Sequence, residues 1–183
     1  MAMDREQVLR AAAALLARKS TATMDEVARA AGIGRATLHR HFAGRDALVR
    51  ALEALGIQEF EVAIDRAGID EGDACGALRR LIAEMEPCAP LLAFLVTENQ
   101  LFEGEQINEG WARLDARVSS LFRRGQEQGA FRIDLPPAWL TEALYGLIGS
   151  CAWAVMDGRV AKNDFQYMIA ELILGGARRS VEK

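Results

Sequence analysis

Seven consecutive positions, Arg35 to His41, hold two arginines, two histidines, a threonine and an alanine around a single leucine. Arg35, Ala36, Thr37, His39, Arg40 and His41 offer cations, hydrogen-bond donors and a small side chain. Small residues allow a backbone to approach a surface closely, and donors of this kind suit base edges and phosphates. Arg45 follows, beyond Phe42 and Gly44, in the first turn of the next predicted helix. A cation there opposes the helix dipole, which a nearby phosphate would explain; a solvated surface arginine is the alternative.

The elements around this stretch are predicted to position it. Thr23 precedes Glu26 by three residues, the spacing of a capping box, in which hydroxyl and carboxylate each satisfy a backbone N–H. Met24, Val27, Ala28 and Ala31 recur at helical spacing, and Gly32 stands where a helix stop favours φ > 0. A second short helix runs from about Gly34 to His41, with Leu38 and Phe42 four apart on its inner face. Together these read as a helix-turn-helix, braced by a first helix over Asp4–Arg18 with Val8, Ala12, Leu15 and Leu16 inward. Residues 1–50 form the predicted DNA-binding domain and residues 51–183 a helical body, so the fold class is all-α.

Charge follows the same division. The chain carries a net charge of −4, yet residues 1–52 hold nine Lys/Arg against five Asp/Glu, or +4, which leaves −8 for the rest. A basic head on an acidic body fits a nucleic-acid partner for the head alone.

The segments MDEVARAAGIGRATLHRHF and RDAL resemble the N-terminal DNA-binding domain of the tetracycline-repressor (TetR) family of bacterial transcription regulators. Thr37-Leu38-His39 stands where that family commonly has Thr-Leu-Tyr, and Arg45 where it has lysine. The resemblance covers about the first fifty residues; beyond them only length, helical character and general plan match. It implies a homodimer paired through the last two helices, a near-palindromic double-stranded operator, and a cavity in the body for a small apolar or amphipathic effector that shifts the heads. Thr23, His41 and Arg45 are then candidates for phosphates. Arg35, Thr37, His39 and Arg40 are candidates for base edges, with Ala36 admitting close approach.

Helices are expected over Asp46 to about Ala67, Ala74–Glu86, Leu91–Phe102, Ile107 to about Gln128 and Ala138 to about Met156, with a last helix capped by Asp164. Pro87 and Pro90 are read as ending the helix before them. Effector candidates are Met85, Phe94, Glu98, Phe102, Trp111, Leu114, Tyr145 and Trp153; these aromatics could equally fill a core. Asn99 and Gln100, beside Glu98, could orient a ligand or face solvent. Arg113, Arg117, Arg123 and Arg124 read as a solvated face or as a second DNA surface. The last helix is apolar on two sides, one for the body and one for a partner chain. Leu147, Cys151, Phe165, Tyr167, Ile169, Leu172 and Ile173 are the dimer candidates.

Catalysis and cofactors are not expected. No HExxH, GxSxG or P-loop pattern occurs. His39 and His41, the only histidines, point about 200° apart on a helix and cannot easily share a metal. Cys75, Cys88 and Cys151 have no ligand spacing; three cysteines fit a reducing cytoplasm, as small buried side chains or as redox sensors. No apolar run reaches the length of a membrane span. The reading is a ligand-responsive repressor, with an adaptor of the same fold and no small-molecule inducer as the alternative.

Overall fold

A computed structural model describes residues 5–97 and 105–178, which form nine α-helices. They are α1 (Arg5–Arg18), α2 (Met24–Ala30), α3 (Arg35–His41), α4 (Arg45–Ala67), α5 (Ala74–Met85), α6 (Ala89–Thr97), α7 (Glu105–Glu127), α8 (Pro137–Met156) and α9 (Phe165–Ala177). Glu86–Cys88 and Lys162–Asp164 are single 3-10 turns. The all-α expectation holds.

Two prolines correct the expected boundaries. Pro90 lies in the first turn of α6, which opens at Ala89, two residues before the predicted start. A first-turn proline surrenders an N–H that has no helical partner anyway, so it starts this helix instead of breaking it. Pro137 does the same for α8. Asp164 precedes α9 as predicted, but its side chain makes no capping bond because the residue already sits in the preceding 3-10 turn.

The boundary drawn at residue 50 falls inside an unbroken helix. α4 runs from the head into the body, and the two parts are joined by more than that helix. One apolar cluster contains Val8, Leu9, Ala12, Leu16, Val27, Leu38, Phe42, Leu48 and Leu52 of the head together with Leu91, Phe94 and Leu95 of α6. A second cluster is the body's own core, built from α4 to α9 around Phe60, Leu78, Phe122, Phe131 and Ile148, with Ala89, Leu92 and Ala93 from the other side of α6. Trp111 packs against both. At Gly56 of α4 a Cβ would come within 2.6 Å of Leu95 Cδ1, so the absent side chain lets α6 close on α4.

The arginines of α7 settle against α4 and the turn that follows it. Arg113 pairs with Glu61 at 3.2 Å and Arg117 with Asp65 at 2.7 Å. Arg124 donates to the carbonyls of Ile69, at 2.6 Å, and Asp70. These three tie helices together; Arg123 is exposed.

At the far end of α7, Phe131 is fully buried against Phe122, with ring centroids 5.7 Å apart. Its ring fills the space that a Cβ on Gly125 would need. Gly125→Ala should therefore destabilise the body by about 1–3 kcal/mol through overpacking, despite alanine's better helix propensity. Urea unfolding monitors this: a lower midpoint is expected, and an unchanged or higher one would mean that the buried ring yields freely.

Candidate nucleic-acid interface

The capping box forms as its spacing predicts. The Glu26 N–H donates to Thr23 Oγ1 at 3.3 Å, and the Thr23 N–H donates to Glu26 Oε2 at 2.8 Å. Lys19 Nζ adds a contact of 2.6 Å to Glu26 Oε1. The Lys19 ammonium, and then the Thr23 N–H, hold the Glu26 carboxyl down at about 2. Gly32 takes φ +64°, and the N–H groups of Gly32 and Ile33 return to Arg29 O and Ala28 O, both at 3.0 Å. This closure satisfies the last carbonyls of α2 and turns the chain into α3.

Leu38 and Phe42, 0% and 2% exposed, fix α3 from below. That burial presents Arg35, Ala36, His39 and Arg40 to solvent, with Thr37 and His41 half-buried at the edges. Arg40 Nη2 donates to Thr37 Oγ1 at 3.0 Å. Arg35 meets Asp25 of α2, with Nε 3.2 Å from Oδ1. Exposed pairs of this kind contribute about 0–1 kcal/mol, so either arginine can exchange its partner for a base or phosphate at small cost. Arg5 of α1 stacks over the Phe42 ring at 5.1 Å and steadies the end of α3.

Arg45 has partners within the protein. Its Nη2 donates to Ser20 O at 2.7 Å and its Nη1 to Ala22 O at 3.2 Å. The cation at the start of α4 thereby clamps the loop that leads into α2. Nothing in the spacing of the sequence marks that role.

The body candidates separate. Met85 and Leu114 are fully buried in the body's core, and Phe94 is buried in the cluster shared with the head. Trp111 packs at a tilt against Phe60, ring centroids 5.7 Å apart, and its buried Nε1 has no acceptor among the described residues. Tyr145 lies beside Asp115, one turn along α7 from Trp111. Burial first, then the charges of Asp115 and Glu142, push the Tyr145 hydroxyl above its ordinary range. Burial, then Glu142, also raises Asp115, which the sequence gave no reason to single out. Trp153 is a correction: it is 49% exposed, under Arg159 at 4.4 Å, and lies outside the interior. Glu98, Asn99, Gln100 and Phe102 lie outside the described residues.

The dimer candidates divide too. Cys151, Phe165, Ile169 and Ile173 belong to the body's own core and offer little to a second chain, a correction to their assignment. Tyr167 and Leu172 are exposed, and Leu147 and Ile173 line an apolar groove of about 440 Å³ between α8 and α9, with Trp139, Ala143 and Gly146. Trp139, 58% exposed, is the largest side chain of this face.

Comparison with known proteins follows the same division. The family model for bacterial regulatory proteins of the tetR family matches residues 8–52. The chain is 33% identical over 174 residues to the HTH-type transcriptional regulator NfxB of Pseudomonas aeruginosa, covering 94% of this chain and 93% of NfxB. It is 29% identical over 154 residues to the HTH-type transcriptional repressor LfrR of Mycolicibacterium smegmatis, covering 84% and 80%. The crystal structure of LfrR from Mycobacterium smegmatis in complex with proflavine is similar at a TM-score of 0.75 and 26% identity, over 96% of this chain and 98% of that one.

The cap makes a pH prediction. Glu26 is held below its ordinary 4.5, so its contribution is present above that value and is lost as pH falls towards about 2. The thermal midpoint should drop over this interval, and Glu26→Gln should flatten the drop. An equally steep profile in the variant would place the acid sensitivity elsewhere.

Proposed function

The chain belongs to the TetR family of bacterial regulatory proteins, and from that membership we propose that it is a ligand-responsive repressor acting as a dimer. It is a DNA-binding transcriptional regulator. The observation that carries the proposal is the exposed face of Arg35, Ala36, His39 and Arg40 on a short helix whose opposite side is fully buried. In this reading α3 enters the major groove. Arg35, Thr37, His39 and Arg40 meet base edges, Ala36 admits close approach, and Thr23, His41 and Arg45 flank the phosphates. Arg45 would do so from its clamp, presenting the edge of a guanidinium already oriented by Ser20 and Ala22.

Pairing would run through the outer face of α8 and α9, by Trp139, Leu147, Tyr167 and Leu172. Exposed apolar side chains concentrated along two helices support this, since an isologous contact buries them twice over. Two heads would then reach adjacent major grooves, about 34 Å apart on one face of the duplex.

The effector is a small aromatic or amphipathic molecule seated near Phe60, Trp111, Asp115 and Tyr145. Support comes from the indole N–H of Trp111, which has no acceptor among the described residues, from the adjacent Asp115–Tyr145 pair, and from the proflavine complex of LfrR. A molecule there would press on α4 and α7 where both clusters meet. It has to prefer the released state by only about 1.4 kcal/mol for each tenfold loss of DNA affinity.

Three variants test these parts separately. Arg40→Ala should weaken operator binding by about 1–3 kcal/mol at matched salt, with folding and dimerisation intact; unchanged affinity would remove α3 from the interface. Leu172→Glu should shift the protein towards monomer in ultracentrifugation, and a fully dimeric variant would place pairing elsewhere. In calorimetry, proflavine should bind wild type more tightly than Trp111→Ala; equal affinities would take the ligand away from this position.

A further inference from the structure

Helix α1 is held by the body in two different ways. Its apolar side packs into the cluster that includes Leu91, Phe94 and Leu95 of α6. Along its edge, Arg10 makes two ion pairs. Nη2 lies 2.7 Å from Glu6 Oε1 one turn back, and Nη1 lies 2.7 Å from Glu59 Oε1 of α4. Glu59 is far from the head end of that helix. At 1.5 Å per residue it stands about 21 Å along the axis from Arg45.

The surroundings of Glu59 differ from those of an ordinary surface carboxylate. Its side chain is 17% exposed, in a cleft of about 260 Å³ walled by Leu55, Ala63, Pro87 and Cys88. Burial raises the Glu59 carboxyl, which the Arg10 charge opposes and the Glu6 charge reinforces. Arg66 and Glu84 line the same cleft from α4 and α5. The apolar contact of α1 with α6 has no direction of its own. An ion pair with one partner seated in a cleft fixes position along the helix. It adds little to folding, because Arg10 is 56% exposed.

We infer that Arg10 and Glu59 are positioning residues for DNA binding: their ion pair straps α1 to the body half of α4 and sets the tilt at which each head presents α3. This rests on the dimeric operator reading above. Neither residue touches DNA in that reading; both act through α1. Losing the strap leaves each head folded and able to bind one half-site. It widens the range of head separations, so fewer dimers match both half-sites at once.

The test uses spin labels at Ala36→Cys in the full-length protein, with Cys75→Ser to remove the more accessible native thiol. Wild type should give a narrow distribution of head-to-head distances. Arg10→Ala and Glu59→Gln should broaden it, and Arg10→Lys, which keeps the cation, should restore it. In the unlabelled variants, affinity for a duplex with two half-sites should fall about tenfold, with single half-site binding unchanged. Unaltered distributions in both variants would overturn the strap. Equal losses on whole and half-sites would do the same, since the pair would then support the fold of the head. If wild type shows no inter-head distance, the dimer reading fails and this inference falls with it.

Discussion

A seven-residue helix cannot hold its own shape in water, because nucleation costs more than so few hydrogen bonds return. The recognition helix α3 is such a helix, and it also lacks a side-chain cap at Gly34. Its conformation depends on burying Leu38 and Phe42 beneath it. The rest of the head supplies that burial. α1 brings Val8, Leu9, Ala12 and Leu16; α2, fixed by its capping box, brings Val27; α4 adds Leu48 and Leu52. A surface that must be polar and accommodating is thus built on a rigid apolar floor.

That floor does not end with the head. Leu91, Phe94 and Leu95 of α6 complete it, and α4 continues unbroken through both parts. A rearrangement among α4, α6 and α7 therefore cannot leave the packing under α3 untouched. Close-packed interiors transmit such strain because they have few voids to absorb it. Trp111, in contact with both clusters, lies where a disturbance of the body would first reach the head. In the proposed reading, coupling between effector and DNA would be a property of this shared core, with the Arg10–Glu59 pair governing its angle.

Local signals in the sequence were the most legible. The capping box, Gly32 in the left-handed conformation and the Leu38/Phe42 anchor each involve residues within a few positions of one another. Errors arose where the deciding contact is distant in the chain. Phe94 was assigned to a body pocket, but it is buried in the cluster shared with the head. Arg45 was read as meeting phosphate or solvent, and its protein partners are carbonyls more than twenty residues earlier. One side of α9 was expected to meet a partner, and Phe165, Ile169 and Ile173 were counted among the dimer residues, although the body's own core buries them. Helical periodicity marks which residues share a face; it does not say whether that face meets the same chain or another. Pro90 shows the converse error, since a proline's effect depends on whether it sits in a first turn or an interior one.

The central claim is that two heads, held at a fixed separation, read one two-fold symmetric site. Selection of bound duplexes from a random pool, at stated ionic strength because phosphate contacts make affinity salt-dependent, tests it most directly. The account predicts recovery of an inverted repeat whose half-sites lie on one face of the duplex. Recovery of no sequence, or of a single asymmetric half-site, from protein shown to be folded would contradict it.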